Sequence, residues 1–169
     1  MMHAETDTVL PDLLRDGLRL VFCGTAPSRR SAREQAYYAH PGNAFWPTLH
    51  TVGLTPQRWS ADAFPQLLDL GIGLTDLAKH HSGNDNELPH GAFDIARFRE
   101  RILAHRPATV AFTSKNAARA VLQQVVAYGW LDASIGCTRL FVLPSPSGQA
   151  RASWSIAPWQ ALADWFHAD

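Results

Sequence analysis

Residues 19–28 read RLVFCGTAPS, and this stretch decides the kind of fold the chain can adopt. Its first five residues, RLVFC, are almost all bulky and apolar, the profile of a strand buried on both faces in a parallel sheet. Gly24 lets the backbone turn where the strand stops, and Pro27 directs the path out. Three further apolar segments repeat the theme: the weaker Gly71–Leu74, then TVAF at Thr109–Phe112 and LFVL at Leu140–Leu143. Helical spacing fills the gaps. Asp94–His105 carries Ile95, Phe98, Ile102 and Leu103 at that spacing, and Lys115–Tyr128 does so with Ala118, Val121, Leu122 and Val125. In Pro158–His167, Pro158 opens a helix with Trp159, Leu162, Ala163 and Phe166 on one face.

Strands alternating with helices imply an α/β three-layer sandwich: a central, mainly parallel four-stranded sheet flanked by helices. At 169 residues the chain is expected to form one domain, residues 1–169, with a substantial core. In such sheets ligands sit beyond the carboxyl ends of the strands. Those ends are GTAPS, GLTDL, TSKN and PSPSG, all small, polar or rich in Gly and Pro, so one crevice built from four loops is expected.

Composition narrows the function. An apolar content of 46% with 18% charged residues describes a globular chain. The expected location is cytoplasmic, because the start MMHAETDTVLPD lacks the basic-then-apolar layout of a signal peptide. No apolar run is long enough to span a bilayer. Fifteen basic residues balance fifteen acidic ones, which argues against a general nucleic-acid coat protein but leaves room for a grip on a few phosphates. Two cysteines, Cys23 and Cys137, cannot build a disulfide framework or a four-thiolate cluster and are read as reduced core or near-core thiols. His80, His81, Asp85 and His90 match no zinc-ligand spacing, so the loop His80–Gly91 is read as a polar surface excursion and no metal or cofactor is expected. A metal-dependent hydrolase using that loop is the weakest of the functional alternatives.

Three motifs carry chemistry. In GTAPS, the amides of Thr25 and Ala26 are expected to face the crevice, where backbone donors can stabilise a developing anion. YYAHPGNAFW, residues 37–46, offers Tyr38 as a shelf for a nucleobase and Asn43 as the cap of a helix starting at Ala44. PSPSG, residues 144–148, combines rigid prolines with the hydroxyls of Ser145 and Ser147, suited to a phosphate backbone. Beyond it Gln149 can occupy the space of a displaced base, and Arg151 can meet phosphate. Of two basic clusters, Arg29, Arg30 and Arg33 is either a DNA contact led by Arg29 or a solvated surface turn, and Lys79-His80-His81 is the other.

Taken in order, GLRLVFCGTAPS, AHPGNAFW, GIGLTDL and VLPSPSG resemble the uracil-DNA glycosylase superfamily. The likeness runs from about Gly17 to Trp154 and leans toward the mismatch-specific uracil/thymine and the deoxyinosine branches, whose pattern includes YYAHPxNAFW. It implies an enzyme that flips a damaged base out of DNA, single- or double-stranded, and hydrolyses its bond to deoxyribose as a monomer without a metal. By the same resemblance Thr25, Ala26, Tyr38 and Ser145 would bind the base. Ser147, Gly148, Gln149 and Arg151 would pinch the strand and fill the gap.

One position departs from the pattern. Relatives carry a water-positioning asparagine or aspartate where this chain has Ala26, and alanine can do neither job. Two residues are candidates for the missing role: Asp76 of GLTDL, a carboxylate at a strand end, and Asn43, which the deoxyinosine branch uses. The competing reading is a catalytically silent module that binds damaged DNA or nucleobases.

Overall fold

The structure is a computed structural model and describes residues 8–168; most of the acidic start and the last residue lie outside the described part. Strands β1 (Leu20–Gly24), β2 (Ile72–Asp76), β3 (Thr109–Phe112), β4 (Gly129–Ile135) and β5 (Thr138–Val142) form one sheet in the order β2-β1-β3-β5-β4. β1, β2, β3 and β5 pair in parallel, whereas β4 runs antiparallel to β5 at the edge. The helices are α1 (Arg29–Glu34), α2 (Phe45–Thr51), α3 (Ile95–His105), α4 (Lys115–Leu122) and α5 (Ala157–His167). A long 3-10 segment, Ala61–Leu70, leads into β2.

Strand periodicity explains the two cores. Leu20 and Phe22 of β1 join Phe45, Trp46, Trp159 and Leu162 on the face covered by α2 and α5. Val21 and Cys23, their alternating neighbours, join Phe98, Ile102, Ala118 and Val121 under α3 and α4. That gives the three layers expected from the sequence.

The sheet has five strands rather than four. The helix starting at Lys115 ends at Leu122, because Gln123 takes a left-handed conformation (φ 59°) and its amide caps the carbonyl of Arg119. Val125 is therefore exposed instead of sitting on a helical face. The chain then turns at Gly129 into β4, where exposed and half-buried residues alternate along GWLDASI, the period-two signal of an edge strand. Cys137, in the β4–β5 turn, is exposed and no core thiol, while Cys23 is buried as expected.

The register of β1 on β2 brings Gly24 directly opposite Asp76. This single pairing positions the site.

Candidate active site

The carboxyl ends of β1, β2, β3 and β5 surround a cavity of about 620 Å3. On the β1 side, the carbonyls of Gly24 and Thr25 accept the amides of Leu77 and Ala78 at 3.0 and 2.8 Å. The GTAPS turn is thereby locked to the end of β2, with Thr25 and Ala26 lining the cavity. The Thr25 hydroxyl donates to Asp85 Oδ1 at 2.6 Å, and Asn116 Nδ2 donates to Asp85 Oδ2 at 2.6 Å. Asp85 thus bridges the first and third loops across the mouth. The His80–Gly91 loop is therefore part of the cavity wall and more than a surface excursion. Among the described residues no group of three His, Cys, Asp or Glu could hold a metal ion.

Tyr38 occupies the left-handed region (φ 55°), a conformation that a bulky residue adopts only when its surroundings enforce it. Two contacts do so. Its ring stacks on Phe45 at 3.9 Å with a 16° interplanar angle, and its hydroxyl meets Thr113 Oγ1 at 3.2 Å. Phe45 in turn packs edge-on against Phe22 and Trp46, so the shelf rests on the aromatic core. Burial, with Asp76 adding to it, pushes the Tyr38 phenol well above its usual range, so it stays a neutral donor.

Asp76 ends β2 and is almost wholly buried. A methyl group placed on Gly24 would lie 3.4 Å from Asp76 Oδ1, 3.4 Å from the Tyr38 hydroxyl and 3.3 Å from Thr113 Oγ1. These three oxygens therefore converge on one small space, kept open because residue 24 has no side chain. Among the described residues Asp76 Oδ2 has no hydrogen-bond partner. Behind it lies a charged cluster in which Lys79 Nζ is 2.7 Å from Asp12 Oδ1 but 3.9 Å from Asp76 Oδ2. Arg101 Nε approaches Asp12 Oδ2 at 2.9 Å, and Thr75 donates to Asp12 Oδ1 at 2.7 Å. Asp12, not Asp76, holds the cations. Desolvation raises the Asp76 pKa to about 7; Lys79 and Arg101 oppose that shift and Asp12 adds to it.

Asn43 also lines the cavity, with its Oδ1 accepting the Phe45 amide at 2.9 Å. Asn43 is not the cap expected from the sequence: the helix begins at Phe45 with Ala44 as its N-cap, and Asn43 lies one residue further out, holding the Phe45 amide from there. Ser145, Ser147 and Gln149 line the cavity from the β5 side. The Ala44 amide donates to the Pro146 carbonyl at 2.8 Å, tying the HPGN and PSPSG loops together. Gly148 and Arg151 stand outside this cavity, on an adjoining hollow of about 340 Å3. Arg29 lies off both, exposed on α1 and paired with Glu87 at 3.1 Å. Sequence reasoning missed Thr113, Asn116 and Tyr128 on the cavity wall. The TSKN loop pointed to the first two, since it follows a parallel strand, but nothing local marked Tyr128.

The cavity at the carboxyl edge of the parallel sheet thus brings the stacked Tyr38–Phe45 pair beside the buried Asp76 carboxylate. The chain belongs to the uracil DNA glycosylase superfamily, whose family model matches residues 11–166. By family it is a DNA glycosylase, a hydrolase of DNA repair. A solution NMR structure of a proposed uracil DNA glycosylase from Methanosarcina acetivorans shares the fold at TM-score 0.66 and 23% identity, covering 94% of this chain and 97% of that one.

Proposed function

We propose that the chain removes uracil, with hypoxanthine as a second substrate, from DNA and so initiates base excision repair. The bond from deoxyribose C1′ to the base nitrogen breaks with its electron pair leaving on the base. The sugar becomes oxocarbenium-like and a water molecule adds to C1′, giving an abasic site and the free base. The base anion needs donors, and the amides of Thr25 and Ala26 with the Ser145 hydroxyl are assigned that role. Tyr38 is the shelf under the flipped ring.

Asp76 is assigned the water. Ionised, it accepts the water proton as C1′ is attacked and offsets positive charge on the sugar. The observation that carries this reading is the buried Asp76 carboxylate, whose Oδ2 accepts no hydrogen bond among the described residues and whose Oδ1 shares one space with the Tyr38 hydroxyl. Asn43 is the alternative water holder; its Oδ1 is already engaged by the Phe45 amide, which favours Asp76. Ser147 and Gln149 are assigned to the strand beside the flipped base, and Arg29 to a more distant phosphate. The protein is proposed to act as a cytoplasmic monomer.

The test is incubation with single- and double-stranded oligonucleotides carrying uracil, hypoxanthine, xanthine or a thymine mismatch, then alkaline cleavage at abasic sites. Cleavage is expected with uracil, slower with Asp76→Asn and less affected by Asn43→Ala. Saturable binding with no abasic product would replace this reading with a silent binding module, the alternative that Ala26 raises.

A further inference from the structure

The hollow of about 340 Å3 beside the base cavity falls within the size class of small-molecule sites, and the strand contact expected of Ser147, Gly148 and Arg151 leaves its indole wall without a role. It lies between the HPGN and PSPSG loops. Ser145, Pro146 and Ser147 line both it and the base cavity, so the two spaces are separated by the thickness of one loop. The rest of its wall is Gly42, Ala44, Gly148, Trp154 and Arg151.

This wall has a definite chemistry. A methyl on Gly148 would sit 3.2 Å from the Gly42 carbonyl oxygen, and methyls on Gly148 and Gly42 would lie 3.6 and 3.8 Å from the Arg151 guanidinium. Two bare backbones therefore meet below one cation. Arg151 has no carboxylate partner among the described residues. Trp154 is half-buried, backed by Trp159 at 5.8 Å between ring centroids, so its indole is held by the core. An indole wall and a free guanidinium are the two elements with which proteins hold an unpaired nucleotide: base on ring, phosphate on cation.

We propose that this hollow is a subsite for the nucleotide adjoining the flipped one, with its base against Trp154 and its phosphate on Arg151. This inference rests on the glycosylase reading and extends it to substrate class. A neighbouring base can reach Trp154 only after leaving its own stack, so the site favours single-stranded or locally opened DNA over an intact duplex.

The experiment measures binding of fluorescently labelled single-stranded oligonucleotides by anisotropy, with excision followed in parallel. One uracil is flanked either by normal bases or by a tetrahydrofuran abasic spacer on its 5′ or its 3′ side. A spacer on one side is expected to weaken wild-type binding roughly tenfold, a typical loss for one base–aromatic stack. Trp154→Ala should lose the same factor on the normal strand and become indifferent to the spacer, while Trp154→Phe restores sensitivity. Arg151→Gln should weaken binding and flatten its salt dependence by about one phosphate contact. Equal affinity for both spacers, or a Trp154→Ala protein that still feels the spacer, overturns the subsite. Trp154-dependent binding without excision would retain the subsite and sink only the glycosylase chemistry. Excision without Trp154 dependence would do the reverse.

Discussion

Asp12 offers the sharpest test of how the site works, because it touches neither the cavity nor a substrate. It holds Lys79 at 2.7 Å and so keeps the ammonium 3.9 Å from Asp76. Asp12→Asn keeps an oxygen for the Thr75 hydroxyl but removes the charge that holds Lys79. The ammonium is then expected to close on Asp76. At an effective dielectric of about 20, moving a unit charge from 3.9 Å to about 2.8 Å strengthens the attraction by roughly 1.7 kcal/mol. That corresponds to about one pKa unit, and loss of the Asp12 repulsion acts in the same direction. The Asp76 pKa should fall from about 7 by roughly one to two units. If ionised Asp76 handles the water, single-turnover excision of uracil should show an acid limb with a midpoint near 7 in the wild type. The variant's limb should lie one to two units lower, making it several-fold faster near pH 6 and nearly unchanged at pH 8. An unmoved or raised midpoint in a variant with a native circular dichroism spectrum would refute the assignment of Asp76.

Two further substitutions probe the same corner. Asp76→Asn should cut excision by roughly a hundredfold or more while raising stability. The folded carboxyl holds its proton up to about pH 7, against 3.8 for an ordinary aspartate. Native stability is therefore lost as pH rises between those values and stays lost above them. The variant's gain should reach at most about 4 kcal/mol above pH 7 and fade toward pH 4, read from thermal melts across that range. Gly24→Ala adds a methyl at 3.3–3.4 Å from Thr113, Asp76 and Tyr38 oxygens. It should leave the fold intact and weaken excision by narrowing the base space; unchanged kcat/KM would show that the flipped base sits elsewhere. Gly73→Ala, in contrast, drives its Cβ to 2.5 Å from the Leu13 carbonyl oxygen. It should destabilise the protein by roughly 1–3 kcal/mol in chemical denaturation.

The sequence by itself determined the parallel α/β architecture, because strand and helix periodicities are local. RLVFC alternates between two cores, and Asp94 and Ser114 cap the helices that follow them. The order of strand ends along the chain also located the crevice, since parallel strands present their carboxyl ends on one edge. The edge strand β4 was lost because its weak alternation lay behind a helical pattern that extends past Leu122, where Gln123 stops the helix.

Only the tertiary structure decided what the residues of the site are to each other. Asp85 reads as loop polarity until packing sets it between Thr25 and Asn116. Arg151 and Arg29 look alike in the chain, yet one lines a hollow with no carboxylate partner among the described residues and the other is paired with Glu87. Asp76 is an ordinary strand-end aspartate in sequence. Its raised pKa depends on burial and on Asp12, 64 positions earlier, drawing Lys79 away. Charge state depends on distance and solvent exclusion between residues far apart in the chain, which no local pattern encodes.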